Sequence, residues 1–352
     1  MRLRNIKSDG RRDRASWKGF FTVTRHGQPG FIPRVSSVTT SAFTAVSTAE
    51  IARSLAVQHL ACGVEHQAAG RIDDAIAAYQ RGLDAASENP SGCAPELIAE
   101  LHAKLGNAYM LCGRLDAAGA SYKAALRLAP QLAVCWCNLG NIQLQTGKPQ
   151  DAIAFYLQAL RVNPAHWPSR TNLAQALLAT RQYIIAKALL SELAEERPQD
   201  GPVQHQLGKA CFELNDTDAA TRHFEQAIAV NPDDAESLYW IGGIRQKAGD
   251  LDAAKAAYAR AAQIQPLIRR RAVKSPPDFR VLALYAPFAG NTPAEYLFRD
   301  AVYDTDTLSL LGADEPDVVA LGNEQVDVHV IVNLISDADQ AATLLPSAAR
   351  LV

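Results

Sequence analysis

Apolar and small residues recur along the middle of the chain with a period of 34 positions, kept without a slip. One apolar column reads Leu105, Leu139, Leu173, Leu207, Ile241, and each member is followed directly by a small residue: Gly106, Gly140, Ala174, Gly208, Gly242. An alanine column (Ala118, Ala152, Ala186, Ala220, Ala254) runs four residues ahead of a bulky one: Tyr122, Tyr156, Leu190, Phe224, Tyr258. Each block closes on a proline, at Pro130, Pro164, Pro198, Pro232 and Pro266. Numbered within a 34-residue block, these columns occupy positions 7, 8, 20, 24 and 32.

Such a period predicts one supersecondary unit per block, here two antiparallel helices. Small side chains at positions 8 and 20 let the two helices approach closely. The bulky residue at position 24 is expected to fill space against the next unit. Proline cannot continue a helix interior, so position 32 marks the turn into the next block. A single unit leaves an apolar face that only its neighbours can cover, so the units stack. Five blocks fit the register: 99–132, 133–166, 167–200, 201–234 and 235–268. A degenerate sixth copy at 56–89 keeps Gly63, Ala75 and Tyr79, puts Gly82 where alanine is usual, and is followed by a late Pro90 and an insertion over 91–95.

These columns resemble the tetratricopeptide repeat family. The resemblance implies an all-α, right-handed superhelical solenoid of antiparallel helix pairs over residues 50–268, about six repeats with the first degenerate. It also implies a protein-interaction scaffold. In that family positions 2, 5, 6, 9, 12 and 13 of each repeat usually face the concave groove. Position 6 reads Lys104, Asn138, Asn172, Gln206, Trp240, and position 9 reads Asn107, Asn141, Gln175, Lys209, Gly243. A carboxamide both donates and accepts, so it can pair with a peptide backbone running in either direction. The arrangement is similar to the asparagine ladder of O-linked N-acetylglucosamine transferase arrays. The expected peptide-binding residues are therefore Lys104, Asn107, Asn138, Asn141, Asn172, Gln175, His205, Gln206 and Lys209. The family's other mode, a clamp of lysines and arginines on a terminal carboxylate, lacks its lysine here: position 5 reads Ala103, Cys137, Thr171, His205, Tyr239.

After Pro266 the pattern changes. Residues 269–278 read as a basic linker. Phe279–Pro287 is a mostly apolar run suited to a buried strand, Asp304–Leu311 a shorter strand, and Val326–Ile335 a second buried strand. Thr292-Pro293-Ala294-Glu295 carries a helix-start signature, 317–324 reads as helix or loop, and Ser336 with Asp339 opens a further helix. Strand and helix alternation implies a small parallel α/β sheet over 279–352, too small to cover its own strands and so read as incomplete. It is similar to the α/β domain that precedes an ATP-grasp fold in some bacterial repeat proteins. The alternative function that follows is a substrate-presenting part of a repeat-fused ATP-grasp ligase or glycosyltransferase.

Charge and chemistry add less. Residues 1–49 carry nine Lys/Arg against Asp9 and Asp13, with a Ser/Thr-rich stretch after them, and read as a disordered basic tail. Residues 275–352 carry twelve acids against Arg280, Arg299 and Arg350. A basic tail alone says that anionic surfaces attract it, which is weak ground for nucleic-acid binding. No metalloprotease, nucleophile-elbow or phosphate-loop motif occurs, so no catalytic, cofactor or metal residue is expected and no enzyme within this chain. No apolar run of membrane-spanning length is present. Six scattered cysteines occur without a CxxC pair, and most of them fit small apolar fillers in a reducing, cytoplasmic compartment.

Overall fold

The computed structural model describes residues 48–88, 92–270, 272, 277–288, 301–309 and 328–334. The expectations for residues 1–47, for the helix start at Thr292, for 317–324 and for the helix from Ser336 lie outside the described residues. The described part is a right-handed solenoid of antiparallel helix pairs followed by a small sheet. The pairs are α1 (Thr48–Ala68) with α2 (Ile72–Glu88), α3 (Pro95–Leu111) with α4 (Leu115–Leu128), and α5 (Ala133–Gln145) with α6 (Pro149–Val162). They continue as α7 (Trp167–Ala179) with α8 (Tyr183–Glu196), α9 (Gly201–Glu213) with α10 (Thr217–Val230), and α11 (Ala235–Lys247) with α12 (Leu251–Ile264).

The closest approach within each pair is set by positions 8 and 24. A Cβ added at Gly140 would lie 2.5 Å from the Tyr156 ring, at Gly106 2.6 Å from the Tyr122 ring, and at Gly63 2.3 Å from the Tyr79 ring. Gly208 and Gly242 stand in the same relation to Phe224 and Tyr258, both at 2.8 Å. Only the unit that has Leu190 at position 24 carries an alanine, Ala174, at position 8. The bulky column thus fills space against the first helix of its own unit, not only against the next unit as the sequence suggested. The alanine column from Ala75 to Ala254 is completely buried, as are Tyr79, Tyr122, Tyr156, Leu190 and Phe224.

The turn inside each pair has one residue in the left-handed region, always at position 15: Gly70, Gly113, Gly147 and Gly249 at φ 70–83°, but Arg181 at φ 60° and Asn215 at φ 62°. Glycine is the residue that bears this conformation without a Cβ penalty. From α9 onward the helices are also capped by aspartates. Asp200, Asp216, Asp234 and Asp250 accept from the backbone N–H three residues on.

The sheet has four strands, β1 (Leu267–Arg270), β2 (Arg280–Tyr285), β3 (Asp304–Ser309) and β4 (Val330–Asn333), in the order β1-β3-β2-β4. β2 pairs parallel with both β3 and β4, while β1 pairs antiparallel with β3. The sheet is therefore mixed, where an all-parallel one of two or three strands was expected. The expected linker 269–278 starts inside strand β1, only two residues after α12. Val281, Leu282, Ala283 and Leu284 are buried, so the near-continuous apolar run does form an inner strand.

The residues that follow β2 close the open end of the solenoid. Gln246 on α11 donates to the Pro287 carbonyl. The Phe288 ring meets Tyr258 on α12 edge to face, with centroids 5.7 Å apart, under the Lys255 ammonium at 5.5 Å. Phe288 takes on Tyr258 the part that Trp240 takes on Phe224, where the rings stack at 5.8 Å. A last repeat has no neighbour to cover its outer helix, and this segment supplies the cover.

Candidate functional site

The first helices α3, α5 and α7 bring Asn107, Asn138, Asn141 and Asn172 into one hydrogen-bonded chain. The Tyr122 hydroxyl donates to Asn107 Oδ1 at 2.7 Å, and Asn138 Nδ2 donates to the same oxygen at 3.0 Å. Asn138 Nδ2 also lies 3.2 Å from the Tyr122 hydroxyl. Asn141 Nδ2 reaches Asn138 Oδ1 at 3.3 Å. The Tyr156 hydroxyl donates to Asn141 Oδ1 at 2.9 Å, which also accepts from Asn172 Nδ2 at 2.8 Å. Tyr122 and Tyr156 thus pass their rings under the glycine of their own unit and deliver their hydroxyls to the inner-face amide at position 9, whereas Tyr79 and Tyr258 deliver theirs to Gln67 and Gln246 at position 12.

This differs from the sequence expectation in one respect. The asparagines were expected as amides open to solvent, and they are instead half-buried and paired along the array. Binding capacity remains at the ends of the chain of bonds: among the described residues, Asn107 Nδ2 and Asn172 Oδ1 have no partner within the protein. Gln175 is exposed, Lys104 is half-buried, and neither has a polar partner among the described residues. Gln206 follows in register, but Leu190 offers no hydroxyl there, and Gln206 Oε1 is buried without a partner.

Beyond Gln206 the polar rungs become charged. Lys209 Nζ pairs with Glu236 Oε1 at 3.1 Å and lies 5.9 Å from the centre of the Trp240 ring. His205 turns into the junction with α11 rather than into open groove. Its Nδ1 is 2.7 Å from Ser237 Oγ, whose hydroxyl donates to Asp234 Oδ2 at 2.5 Å. His205 Nε2 lies 3.3 Å from Glu236 Oε1 without the alignment of a hydrogen bond. The Glu236 carboxyl is held down to about 2, first by His205 and then by Lys209, against a smaller opposing effect of burial. Burial raises the Tyr122 and Tyr156 hydroxyls well above the ordinary tyrosine value, so both stay protonated donors.

Sequence reasoning missed Tyr122 and Tyr156 as inner-face residues, and the Ser237–Asp234–Glu236 group. A signal existed for the tyrosines, because asparagine stands at position 9 only where tyrosine stands at 24. Burial lifts the Cys135 thiol to about 11 and raises Cys137 and Cys211, so these thiols stay protonated. Among the described residues no group of three His, Cys, Asp or Glu is placed to hold a metal, and no helix is long and apolar enough to cross a membrane. A cavity between α10 and α11, lined by Thr221, Arg222, Glu225, Arg245 and Lys247, shares no residue with the amide chain.

Three tetratricopeptide-repeat family models match the chain, over residues 97–165, 143–211 and 205–267. Residues 97–267 are tetratricopeptide repeats. No curated protein matches the sequence. Among solved structures, PilF of Pseudomonas aeruginosa is similar in fold, with a TM-score of 0.51 at 17% identity over 62% of this chain and 95% of that one. YrrB, described as a TPR protein with an unusual peptide-binding site, gives 0.43 at 22% identity over 52% of this chain and 91% of that one. MamA of Desulfovibrio magneticus gives 0.45 at 17% identity over 47% of this chain and 94% of that one. The tetratricopeptide array accounts for the solenoid, and the ATP-grasp resemblance of the C-terminal sheet finds no counterpart among these matches.

Proposed function

We propose that the tetratricopeptide array is a scaffold that holds an extended peptide or partner segment along its concave face. The contacting groups would be Lys104, Asn107, Asn138, Asn141, Asn172, Gln175, Gln206 and Lys209, with His205 beneath them. The observation that carries this reading is the continuous run of amides from Asn107 to Asn172, fixed from below by Tyr122 and Tyr156. Amides locked in one orientation lose little rotamer entropy when a ligand arrives, so more of each bond appears as affinity. Each ligand bond contributes about 0.5–1.5 kcal/mol net. All six cysteines are free thiols, which supports a cytoplasmic site of action.

The test uses side chains that the fold does not need. Lys104→Ala with Gln175→Ala removes two groove groups that have no polar partner among the described residues, and the variant should melt with the wild type. Partners captured from a lysate should be retained several-fold less, and Asn138→Ala with Asn172→Ala should reduce them further. Equal capture of the same partners by all three proteins places the binding surface outside the groove.

A further inference from the structure

The middle of the groove carries no charge. In repeats 133–166 and 167–200, the inner positions 2, 5, 6, 9, 12 and 13 hold amides, a thiol, a hydroxyl, an alanine and the apolar residues Val134, Leu144, Pro168 and Leu178. Val134 is 51% exposed, Pro168 is exposed, and Leu144 and Leu178 are half-buried. Charge at these positions enters only in the flanking repeats, as Glu100 and Lys104 on one side and as Glu213, Lys247 and Lys209 with its Glu236 partner on the other. A charged side chain laid over these two repeats would lose hydration with no counter-ion in reach, which is costly. An apolar one would cover exposed Val134 and the flanks of Leu144 and Leu178.

The chain already binds one such segment to itself. After the apolar strand β2, the Pro287 carbonyl accepts from Gln246, while the Tyr258 hydroxyl donates to Gln246 Oε1 at 3.1 Å. Tyr122 holds Asn107 by its oxygen in the same manner and leaves Asn107 Nδ2 without a partner among the described residues. A tyrosine-anchored amide whose N–H is not spent on a neighbouring amide, as at Gln246 and Asn107, can therefore meet a backbone carbonyl, as Gln246 meets that of the turn residue Pro287.

We infer that the ligand of the central groove is an extended peptide stretch without charged side chains, held by its backbone on the asparagines with its apolar side chains over Val134, Leu144 and Leu178. This rests on the groove reading and names the ligand class for it. The experiment is selection of a random decapeptide library against the immobilised full chain, followed by affinity measurement of the enriched peptides by fluorescence anisotropy. The expected consensus is apolar and free of Asp, Glu, Lys and Arg over its central residues. Asn107→Ala with Asn172→Ala, which removes the two amides with unspent groups, should weaken it about tenfold. Gln145→Lys with Gln175→Lys changes two exposed positions that the fold does not need, and repeating the selection on that variant should enrich acidic peptides instead. A charged consensus on the wild type that still depends on the asparagines overturns the inference and leaves the groove reading standing. Peptides indifferent to all four substitutions, or no enrichment at all, overturn both.

Discussion

Repeats 133–166 and 167–200 share length, register and helix bounds, yet solve the same packing problem differently. The first sets Gly140 against Tyr156 and uses the tyrosine hydroxyl to hold Asn141. The second sets Ala174 against Leu190, has no hydroxyl to offer, and places exposed Gln175 at position 9. The difference teaches that positions 8, 9 and 24 form one unit of choice. An aromatic ring requires a glycine beneath it, and a phenol then requires an acceptor where its oxygen emerges into a half-buried rim.

The largest effect should come from breaking the steric half of that unit. Gly140→Ala places a methyl 2.5 Å from a fully buried ring and should destabilise the protein by about 1–3 kcal/mol. Adding Tyr156→Leu should recover part of the loss, giving a coupling of about 0.5–3 kcal/mol in a double-mutant cycle. Ala174→Gly in the neighbouring repeat should cost about 1 kcal/mol, the ordinary helix penalty. Denaturant melts measure all three. A Gly140→Ala protein that unfolds with the wild type would break the comparison.

The polar half comes next. Asn138→Ala with Asn172→Ala removes bonds to Asn107, Tyr122 and Asn141 and should lower stability by about 1–3 kcal/mol. Gln175→Ala should stay within about 0.5 kcal/mol of the wild type. Equal midpoints for both would mean that the amide chain contributes nothing to the fold and is kept for ligands alone.

The two repeats also differ at the turn. Gly147 sits at φ 73°, whereas Arg181 holds φ 60° with a Cβ. Arg181→Gly should therefore stabilise by up to about 1 kcal/mol, while Gly147→Ala should destabilise by about 1–2 kcal/mol. Opposite signs in thermal melts are the outcome to look for, and equal signs would count against strain at Arg181.

The smallest effect lies one repeat further, where Lys209 and Glu236 replace the amides. The Glu236 carboxyl is lowered from 4.5 to about 2, so its contribution is present above about pH 4.5 and lost as pH falls through 2. Because 63% of the side chain is exposed, solvent screening keeps the contribution small. The melting midpoint of the wild type should fall slightly more steeply than that of Glu236→Gln between pH 5 and pH 2. Parallel curves would remove Glu236 from the account of the groove's charged end.

Much of this molecule was legible in the chain alone. The 34-residue period fixes the helix pairs, and the proline column marks the turns between them because proline cannot donate within a helix. The glycines at position 15 were equally visible, as Gly113, Gly147 and Gly249 stand in register, although their meaning depends on a backbone angle. The apolar runs at Phe279–Pro287 and Val326–Ile335 each marked a strand, but only the first is an inner one. β4, within the second, is the edge strand of the described sheet, with Val330 exposed rather than buried as expected.

Tertiary structure decided the rest. No local pattern shows that Tyr156 lies under Gly140 and surfaces beside Asn141, because that contact joins two helices through a turn. The sequence showed a row of asparagines, and only packing could show them spending part of their hydrogen-bonding capacity on one another. Strand β1 escaped a sequence reading because Leu267–Arg270 is short and basic, and it becomes a strand only by pairing with β3. The cover that Pro287 and Phe288 place over Gln246 and Tyr258 joins residues 41 and 30 positions apart. Such contacts depend on what an open solenoid end leaves bare, and that is a property of the assembled array rather than of any one repeat.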